Sequence, residues 1–329
     1  MSPKNIRKTL ASTALRSLAS ILIATVVTVS VTSIAAAAAP QIRTQAPGVY
    51  RMMLGDDEIT ALSDGTASRD EAEIMKPSEV VTKALAADHE TPPTEISINT
   101  FLINTGSKLI LVDTGAGELF GPHSGGLLVK NLRAAGYQPE QIDAILLTHI
   151  HADHSGGLSI GGKLVFPNAV VYVDKHDSDF WLSAAAEAAN PDKKTTFKTS
   201  HQTVDPVVTA GKLRPFEGAA ELFPGIRSVP AYGHTPGHTA YLIESKGQRL
   251  LLWGDVIHSA ESQFADPNVA IEYDVDHAAA VGTRKRLLDL AAKEGVLVGG
   301  AHISFPGLGH VRVQGDGYAW APTPYGAMQ

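Results

Sequence analysis

Residues 142–154 read IDAILLTHIHADH, and this stretch decides the fold. Ile142–Thr148 is an apolar run too short for a helix, which predicts a buried strand. It runs directly into His149-Ile150-His151-Ala152-Asp153-His154. Alternation along an extended chain puts His149 and His151 on one side. If the chain then turns into a helix, Asp153 and His154 face a second position beside the first. Imidazole and carboxylate groups packed this densely at the end of a buried strand are costly to bury unless they bind metal. The alternative, a solvated His-rich turn, fits poorly with that strand and with the Gly156-Gly157 pair that follows.

Further ligands are expected at the ends of later strands, where layered α/β folds place their sites. Three residues stand there. His234 lies in GHTPGHT (233–239), Asp255 follows LLLWG (250–254), and His302 follows Val296–Ala301. With Asp153 and the histidines of the first stretch they form a nitrogen and oxygen donor set without sulfur. Such a set suits two divalent ions, zinc first, with manganese, iron or cobalt as alternatives. The chain contains no cysteine, which excludes a disulfide scaffold, a thiolate zinc finger, an iron–sulfur site and a thiol nucleophile. Its formal net charge of −7 makes it a poor partner for nucleic acid.

Working outward, Tyr50–Leu54, Glu58–Ser63, Ile96–Asn104 and Lys108–Asp113 read as strands bounded by turn residues. A helix is predicted over 124–136, ending at Gly136, and another over 175–189. Residues 190–210 are hard to read. Val170–Asp174, Leu213–Phe216, Ile226–Ala231, Ala240–Glu244, Arg249–Trp253 and Val296–Gly300 are strand-like, and His277–Lys293 is a helix. This pattern predicts one layered α/β domain over 39–329 with no dividing linker. Ahead of it, 1–38 reads as a secretory signal peptide. Lys4, Arg7, Lys8 and Arg16 precede an apolar stretch from Leu18 to Ile34 and an alanine run, and Pro40 places the cut after Ala37 or Ala38. An exported protein, periplasmic or secreted and without a stable membrane anchor, is expected.

The chain resembles the metallo-β-lactamase-fold hydrolases, and within them the secreted methyl parathion hydrolases and their lactonase and arylesterase relatives. The resemblance rests on APGVYRMMLGDDEITALSDG, NTGSKLILVDTGAGELFGP, AAGYQPEQIDAILLTHIHADHSGGL, GHTPGHTAYLIESKGQRLLLWGD and AHISFPGLGHVR. It implies an αββα sandwich with His149, His151 and His234 on one metal. Asp153, His154 and His302 would hold the other, with Asp255 and a hydroxide bridging the two. Asp113 in LVDTG would support the metal loop without ligating. No dedicated general acid stands out, and Asp255 is the residue placed to shuttle a proton. A homodimer is also implied.

Phe120, Trp181 and, less closely matched, Phe197 correspond to leaving-group-pocket aromatics in that group. An aromatic, otherwise apolar pocket would take an aryl or alkyl group and reject a strongly charged one. His258, Ile271 and Tyr273 depart from the organophosphate-specialised pattern, where an aliphatic residue stands for His258 and smaller residues for the other two. A narrower, more polar pocket favours a lactone or aryl ester over a tetrahedral phosphotriester. The reading is therefore a dinuclear lactonase or arylesterase with side activity on organophosphates. A dedicated organophosphorus hydrolase is the alternative, and a β-lactamase a remoter one. A metal-free binding module would have lost ligands, and here every position is filled.

Overall fold

The computed structural model describes residues 39–327. The expected leader, 1–38, lies outside them. By its contacts the chain divides at Thr44. Residues 39–44 form no regular element. From Gln45 onward two seven-stranded sheets form the centre of the fold.

The first sheet runs Val49–Leu54, Asp57–Arg69, Thr94–Asn104, Leu109–Val112, Ala144–Leu146, Val170–Asp174, Leu213–Phe216. The second runs Glu221–Phe223, Ile226–Pro230, Thr239–Ser245, Gln248–Leu252, Leu297–Gly299, Leu308–Gln314, Gly317–Pro322. Period-two alternation explains how they pack. Ile110, Val112, Ala144 and Leu146 point inward and meet Ile243, Leu250, Leu252 and Leu297 of the second sheet. Their neighbours Leu111, Ile145 and Leu147 point outward onto Leu128, Leu132, Phe197 and Val204 of the covering helices Leu128–Ala134 and Lys194–Thr209. On the far side Leu251, Trp253 and Val298 pack under Leu287, Leu288 and Ala291 of helix His277–Glu294. Helix, sheet, sheet, helix is the expected αββα order.

Several elements differ locally from expectation. The strand predicted over Ile142–Thr148 is paired only over Ala144–Leu146, because Thr148 turns its backbone N–H to the Asp113 carboxylate instead of a ladder. The helix expected over 124–136 begins at Leu128, since Gly125 and Gly126 sit at left-handed φ and Gly126 N donates to Asp64. The predicted 175–189 helix is two, Lys175–Trp181 and Ala184–Ala189, because the Ser183 hydroxyl caps a new start by accepting from Ala186 N. Helix Ser78–Ala87 and the hairpin Leu308–Gln314/Gly317–Pro322 lie beyond the sequence reading. Among the described residues no helix is long and apolar enough to cross a membrane.

Candidate metal centre

The ends of five strands meet at one edge of the sandwich. Asp113 follows Leu109–Val112, and His149–His154 follow Ala144–Leu146. His234 follows Ile226–Pro230, Asp255 follows Gln248–Leu252, and His302 follows Leu297–Gly299. Asp113 adopts a left-handed φ of 60°, which turns its carboxylate back over the first histidine loop. There it accepts from Thr148 N at 2.7 Å, Thr148 Oγ1 at 2.8 Å and His154 Nδ1 at 2.9 Å. Thr148 Oγ1 donates its one hydrogen to the bond with Asp113, so its lone pairs are left to accept from His149 Nδ1 at 3.0 Å.

Two groups of side chains result. His149, His151, His234 and Asp255 each offer a ligand atom within 4.8 Å of one another, and so do Asp153, His154 and His302. Asp255 stands between them. Its Oδ1 lies 3.0 Å from His154 Nε2 and 3.2 Å from His302 Nε2, and its Oδ2 lies 3.3 Å from His234 Nε2 and 3.6 Å from His149 Nε2. Donor atoms around a tetrahedral ion with bonds near 2.0–2.1 Å sit about 3.3 Å apart, so these separations fit. His149 Nε2, His154 Nε2 and Asp255 Oδ1 are buried and have no hydrogen-bond partner. Such orphans are costly unless an ion takes them. The outer nitrogens are engaged: His234 Nδ1 donates to Asp274 Oδ1 at 2.8 Å and His302 Nδ1 to the Ser97 carbonyl at 2.8 Å. This outer support fixes which nitrogen points inward.

The electrostatics point the same way. Burial works to raise the Asp255 pKa, but the imidazoles around it, His154 foremost, hold it well below the usual carboxylate range. Burial works against a charged His234, yet Asp255 and Asp274 raise it to about 9. The site therefore attracts positive charge, as proton or as cation. His238 differs. Burial pushes it down to about 3, its Nδ1 donates to the Ala231 carbonyl, and its Nε2 accepts from Asp255 N at 3.1 Å. Both nitrogens are committed to holding Asp255 in place. Gly254 passes beside it at φ 57°, where a Cβ would come within 2.7 Å of His238 Nε2.

A Metallo-beta-lactamase superfamily profile matches residues 93–302, from the Thr94–Asn104 strand to His302. The chain belongs to that superfamily. Like other metallo-β-lactamase proteins it is a hydrolase by family. It is 36% identical to the hydrolase AbOPH of the beta lactamase superfamily, with a TM-score of 0.82 over 86% of this chain and 100% of that one. It is 29% identical to AidC, a dizinc quorum-quenching lactonase solved with a product N-hexanoyl-L-homoserine, with a TM-score of 0.78 over 85% and 99% of the two chains. An N-acyl homoserine lactonase of Bacillus sp is 25% identical over 221 residues, 60% of this chain and 78% of the relative.

In this superfamily member a cavity of about 590 Å³ opens onto both groups. Phe120, Trp181, His258, Ile271 and Tyr273 line it. Phe197 does not. It is fully buried behind Trp181, with ring centroids 4.9 Å apart, because its helix turns it into the core. Nor is the wall apolar apart from its aromatics. Arg69 and Lys193 line it, the Arg69 guanidinium 5.2 Å from the Phe120 ring centroid.

Sequence reasoning missed two aspartates. Asp177 is fully buried and accepts from Ile150 N at 2.7 Å and Gly237 N at 2.8 Å, joining the two histidine loops. It stands just after strand Val170–Asp174, so the cue that found Asp255 was present there too. Asp274 carries no motif signal. Partners of this kind are worth about 10–100-fold in metal affinity. Asp274→Ala is therefore expected to weaken retention of one ion by that factor in a chelator competition, and unchanged retention would remove it from the site.

Proposed function

We propose that the chain is a dinuclear metal-dependent hydrolase of lactones and aryl esters, with side activity on organophosphate triesters. The observation that carries this is Asp255, whose two oxygens face two separate histidine groups at the floor of one cavity. His149, His151 and His234 would hold one divalent ion and Asp153, His154 and His302 the other, with Asp255 shared. Zinc is the first choice for this donor set, and the dizinc lactonase among the relatives supports it. When bound, the ions supply an activated water near neutral pH and Lewis acidity toward an acyl or phosphoryl oxygen.

The chain's own residues do the rest. Ile96, Ile98, Leu119 and Phe120 form an apolar wall that takes the acyl or aryl part of the substrate and keeps water from it. Asp113, Asp274 and the Ser97 carbonyl keep the histidine rings in one tautomer and orientation. Asp255 lies within reach of both halves of the site and relays the proton released as water adds to the carbonyl, carrying it only in passing because the imidazoles keep its pKa well below the usual carboxylate range. That proton passes to the leaving oxygen as the ester bond breaks, giving acid and alcohol. The reading includes an exported mature domain from about residue 39 and a homodimer, both supported by the resemblance of sequence alone.

Ile271, almost fully buried, and Tyr273 narrow the cavity and favour a planar carbonyl substrate over a tetrahedral phosphotriester. The test is a kcat/KM panel covering an aromatic lactone, an acyl-homoserine lactone, an aryl ester, a dimethyl phosphotriester and a β-lactam. A lactone or aryl ester is expected to lead the phosphotriester by at least about tenfold, near 1.4 kcal/mol, with little turnover of the β-lactam. A phosphotriester at the head of the panel would overturn the substrate preference and favour a dedicated organophosphorus hydrolase.

A further inference from the structure

A third group of potential ligand atoms overlaps the other two. Asp255, His258 and His302 each present one within 4.8 Å of the others, all on buried side chains. His258 follows Asp255 across the short helical turn Gly254–Val256, so its ring folds back over the carboxylate. Its Nε2 lies 3.1 Å from Asp255 Oδ2, and its ring stacks on His302 with 19° between planes and 5.3 Å between centroids. The backbone below is held. His258 N donates to Gln263 Oε1 at 2.7 Å, and Gln263 Nε2 donates to the Val269 carbonyl at 2.9 Å.

We propose that His258 is an additional metal ligand, its Nε2 facing Asp255 Oδ2 and supplied to an ion held there with His302, whose Nε2 also lies 3.3 Å from that oxygen. This rests on the dinuclear reading above. The reason is a count of donors. Imidazole Nε2 atoms of His258, His234, His302 and His149 all lie between 3.1 and 3.6 Å from the single atom Asp255 Oδ2. One carboxylate oxygen offers two lone pairs. His149, His234 and His302 already donate through Nδ1, to Thr148, Asp274 and Ser97, so their Nε2 lone pairs face the carboxylate, and a cation lying between them relieves that arrangement, with His258 Nε2 standing in the same ring of donors. His258 Nδ1 is buried without a partner, so the ring is held by its packing on His302 and His234 and by whatever Nε2 binds. With His258 ligating, the ion at His302 keeps one position fewer for substrate, which suits a small planar carbonyl.

His258→Phe keeps a ring to stack on His302 and removes the nitrogen, and His258→Leu removes both. Zinc affinities are measured on the full mature protein by competition with a chromophoric chelator. The cobalt(II)-loaded protein is examined by absorption and by proton NMR of ring N–H signals shifted by the ion. The expected result is that both variants lose at least about tenfold in affinity for one ion and keep the other. The cobalt bands shift, and one shifted ring N–H signal disappears. Thermal midpoints of the ion-free variants near that of the wild type separate a lost ligand from a lost fold. A His258→Phe protein with both wild-type affinities and the full set of shifted signals would overturn the proposal. Wild-type protein that binds no ion would overturn the dinuclear reading itself, and the proposal with it.

Discussion

Stripping the purified protein with a strong chelator is expected to lower kcat/KM on its best lactone or ester by at least about a thousandfold, with recovery on adding zinc. The magnitude follows from the several kcal/mol that charge stabilisation by bound ions contributes, at about 1.4 kcal/mol per tenfold in rate. The cavity wall carries no serine or cysteine among the described residues, and its aliphatic hydroxyls are those of Thr195, Thr196 and Thr199. Stripping should also destabilise the fold. His149 Nε2, His154 Nε2 and Asp255 Oδ1 are left buried without partners. Each ion held at a thousandfold excess over its Kd stabilises the native state by about 4 kcal/mol. The thermal midpoint should therefore fall on stripping and rise with added zinc. Unchanged activity and midpoint in protein shown to be free of metal would contradict this.

Asp255→Ala is expected to be more damaging than any single histidine change in the site. A histidine substitution removes one donor from one group and leaves the other group intact. Asp255 contributes an oxygen to each, 3.0 Å from His154 Nε2 on one side and 3.3 Å from His234 Nε2 on the other. Its loss also leaves the surrounding imidazoles without the carboxylate that draws cations into a buried site. The variant should retain at most one ion and lose at least about a thousandfold in kcat/KM, near 4 kcal/mol. Asp255→Asn keeps the shape and removes the charge, so it separates the two contributions. Metal content and rate measured on the same preparations decide the matter. An Asp255→Ala protein with two ions and near-normal rate would refute the shared role.

The residues that cluster at the site were legible because their signals are local. A polar ligand type at the exit of an apolar run marks His149, His234, Asp255 and His302 in one dimension, and the αββα order follows from strands of alternating or continuous hydrophobicity. The groups that position the donors were harder to see because they come from elsewhere in the chain. Asp274 meets His234 across 40 residues of sequence, and Ser97 meets His302 across 205. Phe197 was misplaced because an aromatic on an amphipathic helix reads the same whether it faces a cavity or the core. Only the packing of Lys194–Thr209 against Trp181 distinguishes them. The cations in the cavity wall were missed for a related reason. Arg69 sits at the end of a strand that continues past the bulge at Asp64, beyond where the alternation stops.

Back-titration of the stripped protein with zinc, following bound ions per chain and lactone hydrolysis together, tests whether the two histidine groups form one dinuclear site. Two ions should bind per chain, and activity should reach its full value only as the second is taken up. Full lactone hydrolysis with no ion bound, or two ions bound with no hydrolysis of any lactone or ester in the panel, would contradict it.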